Sequence, residues 1–238
     1  MRTALITGGS RGIGAETVRA FAAAGCRTAF FYRSSEAEAQ KLSEETGAYA
    51  IRCDVADSAS VNAACREAER LLSHIDVLVN NAGIAQQKLF TDITDEDWQR
   101  MLNVNLSGAF YVSRAVLPGM ISRRFGRIVN VGSIWGQVGA SCEVHYSAAK
   151  AGLIGLTKGL AKEVAPSGVT VNCVCPGVIE TDMLSCFSED DLSALAEETP
   201  VGRLGTAEDV AAMILWLSDE KAGFVTGQVI GVNGGFGE

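Results

Sequence analysis

Ser133, Tyr146 and Lys150 are residue types that together could transfer a proton to a carbonyl oxygen. Tyr146 and Lys150 stand four positions apart in a helical pattern, so both side chains project from one face of the helix. A free tyrosine has a pKa of about 10, and a neighbouring ammonium, together with an oxidised nicotinamide, favours the phenolate. The phenol can then donate its proton to a carbonyl oxygen as hydride arrives at carbon, while Ser133 hydrogen-bonds the same oxygen. Lys150 can also hold the nicotinamide ribose.

A glycine-rich turn near the amino terminus predicts a dinucleotide site. The first apolar run leads into the sequence TGGSRGIG, and a helical pattern follows. Such a turn lets backbone N–H groups and the positive end of a helix approach a pyrophosphate. The spacing is GxxxGxG rather than GxGxxG, and tight strand–helix packing is the alternative interpretation of the glycines alone. The predicted contacts are Gly8, Ser10, Arg11, Gly12, Ile13 and Gly14.

The residues after the second apolar run predict which dinucleotide binds. A free ribose 2′-hydroxyl is usually met there by a carboxylate, which would repel a 2′-phosphate. Here Arg33 and Ser34 occupy that position, and no carboxylate occurs before Glu36. Arg33, together with Arg11, can pair with a phosphate. The sequence therefore predicts NADP(H), against the simpler interpretation that each arginine is a solvated surface charge.

Two further strand ends contribute to the predicted cofactor site. Asp54, followed by Val55, could accept a hydrogen bond from the adenine amino group, although an aspartate in such a turn also has local uses. The fourth strand is followed by Asn81, Ala82 and Gly83. The small residues in this segment permit close approach of the backbone to the cofactor ribose. The preceding Asn80 is predicted either to tie strands together through its amide or to contact the cofactor directly.

The elements that must position these residues alternate between short apolar runs and longer amphipathic stretches. This alternation predicts an α/β fold with a doubly wound parallel sheet of seven strands and helices on both faces. The predicted strands are Ala4–Thr7, Thr28–Tyr32, Tyr49–Cys53, Val77–Asn80, Arg127–Val131, Val169–Val174 and Gln228–Val232. The predicted helices lie near 13–24, 35–46, 58–72, 95–123, 145–165 and 206–217.

Length and composition set limits on the class of protein. The 238 residues suffice for one α/β domain covering 1–238. A net charge of −8 argues against nucleic acid or an anionic membrane as partner. Seven scattered cysteines without metal-ligand spacing predict free thiols, no metal and a cytoplasmic location. The acidic segment 181–205, with Ser188 as a helix N-cap, is predicted to form a substrate lid.

These motifs, in this order, resemble those of the short-chain dehydrogenases/reductases, and the resemblance covers essentially the whole chain. It implies a Rossmann fold and a catalytic tetrad that adds Asn105, holding a water, to the three residues above. On its own, Asn105 would only be tolerated within a helix. The resemblance also implies a homotetramer formed by the helices near 95–123 and 145–165. It further implies cofactor contacts at the nicotinamide end from Pro176, Gly177, Ile179 and Thr181.

Within that family the chain resembles the 3-oxoacyl-[acyl-carrier-protein] reductases. An acidic acyl carrier protein would require a basic docking patch near the site, of which Arg123 and Arg124 can supply half. Pro166 and Ser167 replace the basic residue expected in the other half.

Three alternatives stay open at this point. The residues SIWG and GASCEV resemble a sister group that reduces an aminopentanone attached to elongation factor P, and Glu143 could bind its amine unless it only favours a helix N-terminus. A non-catalytic NADP-binding regulator on the same fold would be expected to lose the tetrad, which this chain retains. A dehydrogenase oxidising a sugar or polyol is the third alternative.

Overall fold

A single parallel sheet of seven strands forms the centre of the protein. The computed structural model describes residues 2–181 and 188–237. The strand order is 3-2-1-4-5-6-7, and every pair of neighbours is parallel. This confirms the predicted fold class. The strands are β1 Thr3–Thr7, β2 Arg27–Tyr32, β3 Tyr49–Arg52, β4 Val77–Asn80, β5 Gly126–Val131, β6 Val169–Pro176 and β7 Val229–Val232.

Helices cover both faces of the sheet. Their bounds follow the predicted ranges closely, except that the segment near 95–123 is interrupted and a short helix after Ser133 was not predicted. They are α1 Gly12–Ala23, α2 Glu36–Thr46, α3 Ser58–Leu72, α4 Asp95–Leu102, α5 Gly108–Arg123, α6 Trp135–Val138, α7 Val144–Val164, α8 Glu189–Glu198 and α9 Ala207–Leu217. None of the helices within the described ranges is long and apolar enough to cross a membrane.

The apolar runs form strands because both of their faces are buried. All five residues of β1 are buried, and successive side chains point to opposite faces. Leu5 packs into the core on one face, together with Phe31. Ile6 packs into the core on the other face, together with Phe30. Two separate apolar cores therefore hold the helical layers against one sheet.

The strand order places a crevice between β1 and β4. From β1 the chain builds outward through β2 and β3, and it then crosses back to add β4 on the other side of β1. The loops that leave the carboxyl ends of β1 and β4 consequently diverge, and ligands of open α/β sheets bind at this point. The glycine-rich turn follows β1, and the predicted ribose contacts at 81–83 follow β4.

The segment predicted as lid is described only in part. Residues 182–187 lie outside the described residues. The following part forms α8, whose first turn is closed by a capping box between Ser188 and Asp191, and this confirms the predicted N-cap. An isolated parallel bridge pairs Gly205, the last residue of the segment, with Ile179, which lies just before it.

Candidate active site

The glycine-rich turn after β1 needs its glycines for two different reasons. Gly8 and Gly12 have φ angles of 64° and 53°, a left-handed conformation that other residues rarely adopt. Gly14 does not, but a Cβ at this position would lie 2.1 Å from the carbonyl oxygen of Gly8. The N-cap of α1, Arg11, makes no side-chain cap hydrogen bond, so its side chain does not occupy the first N–H groups of that helix.

The opposite wall is fixed by asparagine and threonine side chains at the end of β4. The Asn81 side-chain amide donates to the carbonyl oxygens of Thr7 and Gly8, both at 3.0 Å. The Thr7 hydroxyl accepts from the backbone N–H of Asn81 and of Ala82, also at 3.0 Å. Asn81 therefore holds the two loops together. Asn80 ties β4 to β5 by donating to Asn130 at 2.8 Å, which confirms its predicted structural role.

A cavity of about 450 Å³ opens between these walls. It is lined by most of the predicted cofactor contacts: Gly8, Ser10, Arg11, Gly12, Ile13, Gly14, Arg33, Ser34, Asp54, Val55, Asn81, Ala82, Gly83 and Thr181. The sequence prediction missed seven further lining residues: Phe31, Tyr32, Ser35, Cys53, Ile84, Ala85 and Val104. Ile84 and Ala85 directly follow the small residues after β4, so a longer loop could have been predicted. Val104 carries no signal of its own.

The glycine cradle and the lining residues fit a dinucleotide. At Gly8, a Cβ would lie 2.8 Å from Cα of Ala82, so the narrow approach between the two loops depends on the missing side chain. The lining at the end of β2 contains Arg33 and Ser34, and Asp54 lines the same cavity at the end of β3. One carboxylate oxygen of Asp54 accepts from the N–H of Ala56 at 3.0 Å. The other is not engaged in this turn.

Five predicted cofactor contacts do not line this cavity: Tyr146, Lys150, Pro176, Gly177 and Ile179. The last three are packed against protein. Pro176 ends β6 beside Val232 of β7. A Cβ at Gly177 would lie 2.8 Å from Cα of Asn233, and Ile179 is buried beside Gly205. Their contact with a cofactor stays a prediction.

Lys150 is buried in α7 and reaches across to β5. Its ammonium donates to the carbonyl oxygen of Val131 at 2.8 Å. Burial lowers the pKa of Lys150 to about 8. A Cβ at Gly83 would lie 3.6 Å from Nζ of Lys150, so the ammonium stands directly behind the loop that lines the cavity.

The phenol of Tyr146 lies one helical turn before Lys150. The ammonium is 5.7 Å from the centre of the tyrosine ring. Burial raises the pKa of Tyr146 to about 12, the nearby Glu143 adds to the rise, and Ser133 opposes it. The expectation that the Lys150 ammonium and an oxidised nicotinamide together favour the phenolate concerns the cofactor complex, and it stays a prediction. In the protein alone, Tyr146 is a protonated acid.

Ser133 follows the end of β5, at the point where the chain turns into α6. Its hydroxyl oxygen accepts from the N–H of Trp135 at 3.2 Å, which fixes the side chain, and it lies beside the phenol. The residue is 8% exposed, whereas Tyr146 keeps more of its surface open. Ser133 and Tyr146 therefore come together from two elements, as the sequence predicted.

Asn105 lies in a π-helical turn, Asn103–Ser107, between α4 and α5. Its amide oxygen accepts from the N–H of Ile84 at 3.2 Å, and its amide nitrogen donates to the carbonyl oxygens of Ile84 and Met101. Asn105 is therefore not merely tolerated in a regular helix: the helix widens where its amide holds the loop after β4. The water predicted from the family resemblance stays a prediction.

Two clusters near the site are structural in this geometry. His145 is buried and its Nε2 lies 3.0 Å from the side-chain oxygen of Gln86, so it flanks the site, as predicted. Cys173 and Cys175 are free thiols with their sulfurs 3.9 Å apart. Among the described residues, no group of His, Cys, Asp and Glu has an arrangement suited to a metal ion.

The basic pair expected near the site lies elsewhere. Arg124 follows the end of α5 and donates to the carbonyl oxygen of Pro166 at 3.2 Å, while Arg123 donates to Ile75 at 2.6 Å. Both precede β5, whereas Ser133 follows it, and a six-residue strand spans about 20 Å. Within one chain the pair therefore lies at the opposite end of β5 from Ser133, and its part in docking an acyl carrier protein stays a prediction.

The fold, the glycine cradle and the Ser133–Tyr146–Lys150 arrangement define the class of protein. The chain belongs to the short-chain dehydrogenase/reductase family and is an oxidoreductase acting on C=O or CH–OH groups. Residues 8–237 match the family model described as enoyl-(acyl carrier protein) reductase.

Particular relatives are similar over almost their whole length. An acetoacetyl-CoA reductase of Shinella zoogloeoides is 43% identical over 98% of both chains. A 3-oxoacyl-[acyl-carrier-protein] reductase of Aquifex aeolicus is 44% identical, over 98% of this chain and 96% of the relative. The corresponding reductase of Escherichia coli is 40% identical with the same coverage.

Proposed function

We propose that this protein reduces a 3-oxoacyl thioester to the 3-hydroxyacyl thioester, with NADPH as the reductant. The observation that carries the proposal is the meeting of Ser133, Tyr146 and Lys150 behind a loop that lines a dinucleotide-shaped cavity. The relatives named above act on 3-oxoacyl groups carried by coenzyme A or by a carrier protein, which supports the substrate class.

In the proposed reaction the chain's own residues hold the ketone and deliver the proton. The bound cofactor supplies hydride to the carbonyl carbon. Tyr146 donates its phenolic proton to the carbonyl oxygen, and its raised pKa keeps that proton in place until hydride arrives. Ser133 hydrogen-bonds the same oxygen. Lys150, anchored on Val131, stabilises the phenolate that results and holds the nicotinamide ribose.

The proposed preference for NADPH rests on charge at the adenosine end. Arg11, Arg33 and Ser34 line the cavity there. The glycine turn, the end of β4 and α7 supply the remaining proposed contacts, with Pro176, Gly177, Ile179 and Thr181 at the nicotinamide end. A ratio of kcat/KM for NADPH over NADH well above one is expected; a ratio below one would contradict this assignment.

One assay tests the substrate class directly. Oxidation of NADPH is followed by absorbance with acetoacetyl thioester and with crotonyl thioester, since the matched family model is described by enoyl reduction whereas the relatives above are ketone reductases. We expect turnover with the ketone and none above background with the enoyl compound, because the phenol is placed to protonate an oxygen. Turnover of the enoyl thioester alone would refute the proposal.

A second candidate substrate is a ketone that carries an amine, such as an aminopentanone group on elongation factor P. The observation that favours it is Glu143: this residue is half-buried beside Tyr146, burial raises its pKa, and its side chain makes no cap hydrogen bond to α7. A carboxylate at this rim suits a cation better than an acyl chain. Turnover of an aminopentanone-modified protein but not of acetoacetyl thioester would favour this candidate.

We also propose a homotetramer in a cytoplasmic location. Four large apolar side chains are exposed on the helices implied as interfaces: Trp98, Phe110, Ile121 and Val144. The described cysteines are free thiols, as suits a reducing compartment. Light scattering should give four times the 25.0 kDa mass of the chain.

We further propose that 181–205 closes over the substrate as a lid within the single domain.

A further inference from the structure

A second cavity, of about 350 Å³, adjoins the dinucleotide cavity at the ends of β2 and β3. Both are lined by Arg33, Cys53 and Asp54, so the second is a side pocket of the first. Arg52 and Ser60 complete its lining. Arg52 does not belong to the motifs of the dinucleotide site, and the sequence prediction did not include it.

The sheet register brings the two arginines of this side pocket together. Arg52 pairs with Tyr32 across β2 and β3, which places it beside Arg33. The Nε of Arg52 donates to the backbone carbonyl oxygen of Arg33 at 3.3 Å. This bond fixes the plane of the guanidinium and leaves its two terminal nitrogens for another partner. Within the described part of the chain, neither arginine forms an ion pair with a carboxylate.

The remaining polar groups of the side pocket are engaged with the protein. The Ser60 hydroxyl accepts from the N–H of Asp54 at 3.1 Å and lies 3.8 Å from the sulfur of Cys53. The Asp54 carboxylate is the single negative group of this lining, and one of its oxygens accepts from Ala56. Two guanidiniums against one carboxylate make the side pocket a site for an anion.

We propose that Arg52 is a second specificity residue of this protein, which binds the 2′-phosphate of the dinucleotide together with Arg33. The inference rests on the proposed use of NADPH. A planar guanidinium can bind two phosphate oxygens at once, so a second arginine adds charge and directed hydrogen bonds to those of the first. Arg52 ends β3 and Arg33 directly follows the adjacent strand β2, so the sheet holds the spacing of the two backbones.

The experiment measures binding of two nucleotides to the whole protein by calorimetry. Adenosine 2′,5′-bisphosphate carries the 2′-phosphate, and adenosine 5′-monophosphate lacks it. For Arg52→Gln we expect affinity for the bisphosphate to fall about tenfold, as for loss of a charged hydrogen bond, with the monophosphate unchanged. Arg66→Gln removes the same charge from an exposed position on α3 and should change neither affinity. In Arg52→Gln the KM for NADPH should rise as the affinity for the bisphosphate falls, while the KM for NADH stays constant.

The outcomes separate the inference from the proposed function. If the wild-type protein binds both nucleotides equally, the NADPH assignment fails and the inference falls with it. If the wild type discriminates and Arg52→Gln discriminates equally well, only the role of Arg52 is refuted. Equal losses for both nucleotides in Arg52→Gln would show a general structural effect and would also overturn the inference. Arg52→Lys keeps the positive charge but loses the paired N–H donors of the guanidinium. Its affinity for the bisphosphate should therefore lie between those of the wild type and Arg52→Gln.

Discussion

The cofactor end and the substrate end of this site are built in different ways. At the cofactor end, backbone geometry sets the shape. A side chain at Gly8 would collide with Ala82, and a side chain at Gly14 would collide with the carbonyl oxygen of Gly8. At the substrate end, side chains from separate elements meet, with Ser133 after β5 and Tyr146 and Lys150 on α7. Backbone constraints leave a clear sequence pattern, whereas a meeting of side chains leaves only spacing. The first end is therefore easier to recognise from sequence than the second.

The largest effect is expected from a change to the backbone of the cofactor end. Gly14→Ala would place a Cβ 2.1 Å from the carbonyl oxygen of Gly8, which forces the turn apart. We expect binding of NADPH to be lost and the free energy of unfolding to fall by about 1–3 kcal/mol, the range for overpacking. Gly119→Ala is the matched control, because its Cβ would meet only the far ends of two flexible side chains, Arg123 at 3.2 Å and Glu69 at 3.8 Å. A Gly14→Ala protein that binds NADPH normally would show that the turn does not cradle the cofactor.

At the substrate end, the next largest effect should follow removal of the ammonium. We expect Lys150→Met to reduce kcat about 100-fold, within the range for loss of acid–base assistance. Stability should not fall in parallel, because a buried charge is replaced by an apolar chain of similar length. Steady-state kinetics and a thermal melt measure the two quantities. A variant with unchanged kcat would remove Lys150 from the mechanism.

A smaller effect, confined to one cofactor, is expected at the adenosine end. Arg33→Gln should raise the KM for NADPH about tenfold and leave the KM for NADH nearly constant, because only the first carries a 2′-phosphate. Initial rates at varied concentrations of each cofactor measure this. Parallel changes in both KM values would mean that Arg33 supports the fold of the loop and not the choice of cofactor.

The smallest effect is a displacement of the pH profile at the substrate end. The Glu143 carboxylate raises the pKa of Tyr146, because a negative neighbour disfavours the phenolate. Oxidation of the alcohol needs the phenolate, so its rate rises as the pH increases toward that pKa. In Glu143→Gln the pKa falls, and the rising limb should move to lower pH. A limb that stays in place, or that moves to higher pH, would show that Glu143 does not act on the phenol.

The sequence predicted the sheet, the glycine-rich turn and the proximity of Ser133, Tyr146 and Lys150 because each leaves a local pattern. Buried runs such as Ala4–Thr7 and the four-residue spacing of Tyr146 and Lys150 need no knowledge of distant contacts. The role of Asn105 was different, since its hydrogen bonds to Ile84 join residues 21 positions apart. The burial that raises the pKa of Tyr146 likewise depends on the assembled fold, which no local sequence pattern describes.

It was equally hard to predict at which end of the parallel strands a residue lies. Arg123 and Arg124 precede β5 and Ser133 follows it, so a few positions in sequence separate opposite edges of the sheet. Arg52 shows the converse: it reaches the cofactor end only through its register with Tyr32 on β2. Contacts of this kind follow from strand order, which the pattern of apolar runs does not specify.

The most direct test of the central claim measures two quantities on Tyr146→Phe. The variant keeps the ring and removes the proton that the phenol would donate. We expect kcat for reduction of acetoacetyl thioester to fall about 1,000-fold, while the dissociation constant of NADPH, followed by its fluorescence, stays within about twofold of wild type, a change below 0.5 kcal/mol. Turnover at the wild-type rate in this variant would contradict the assignment of Tyr146 as the proton donor.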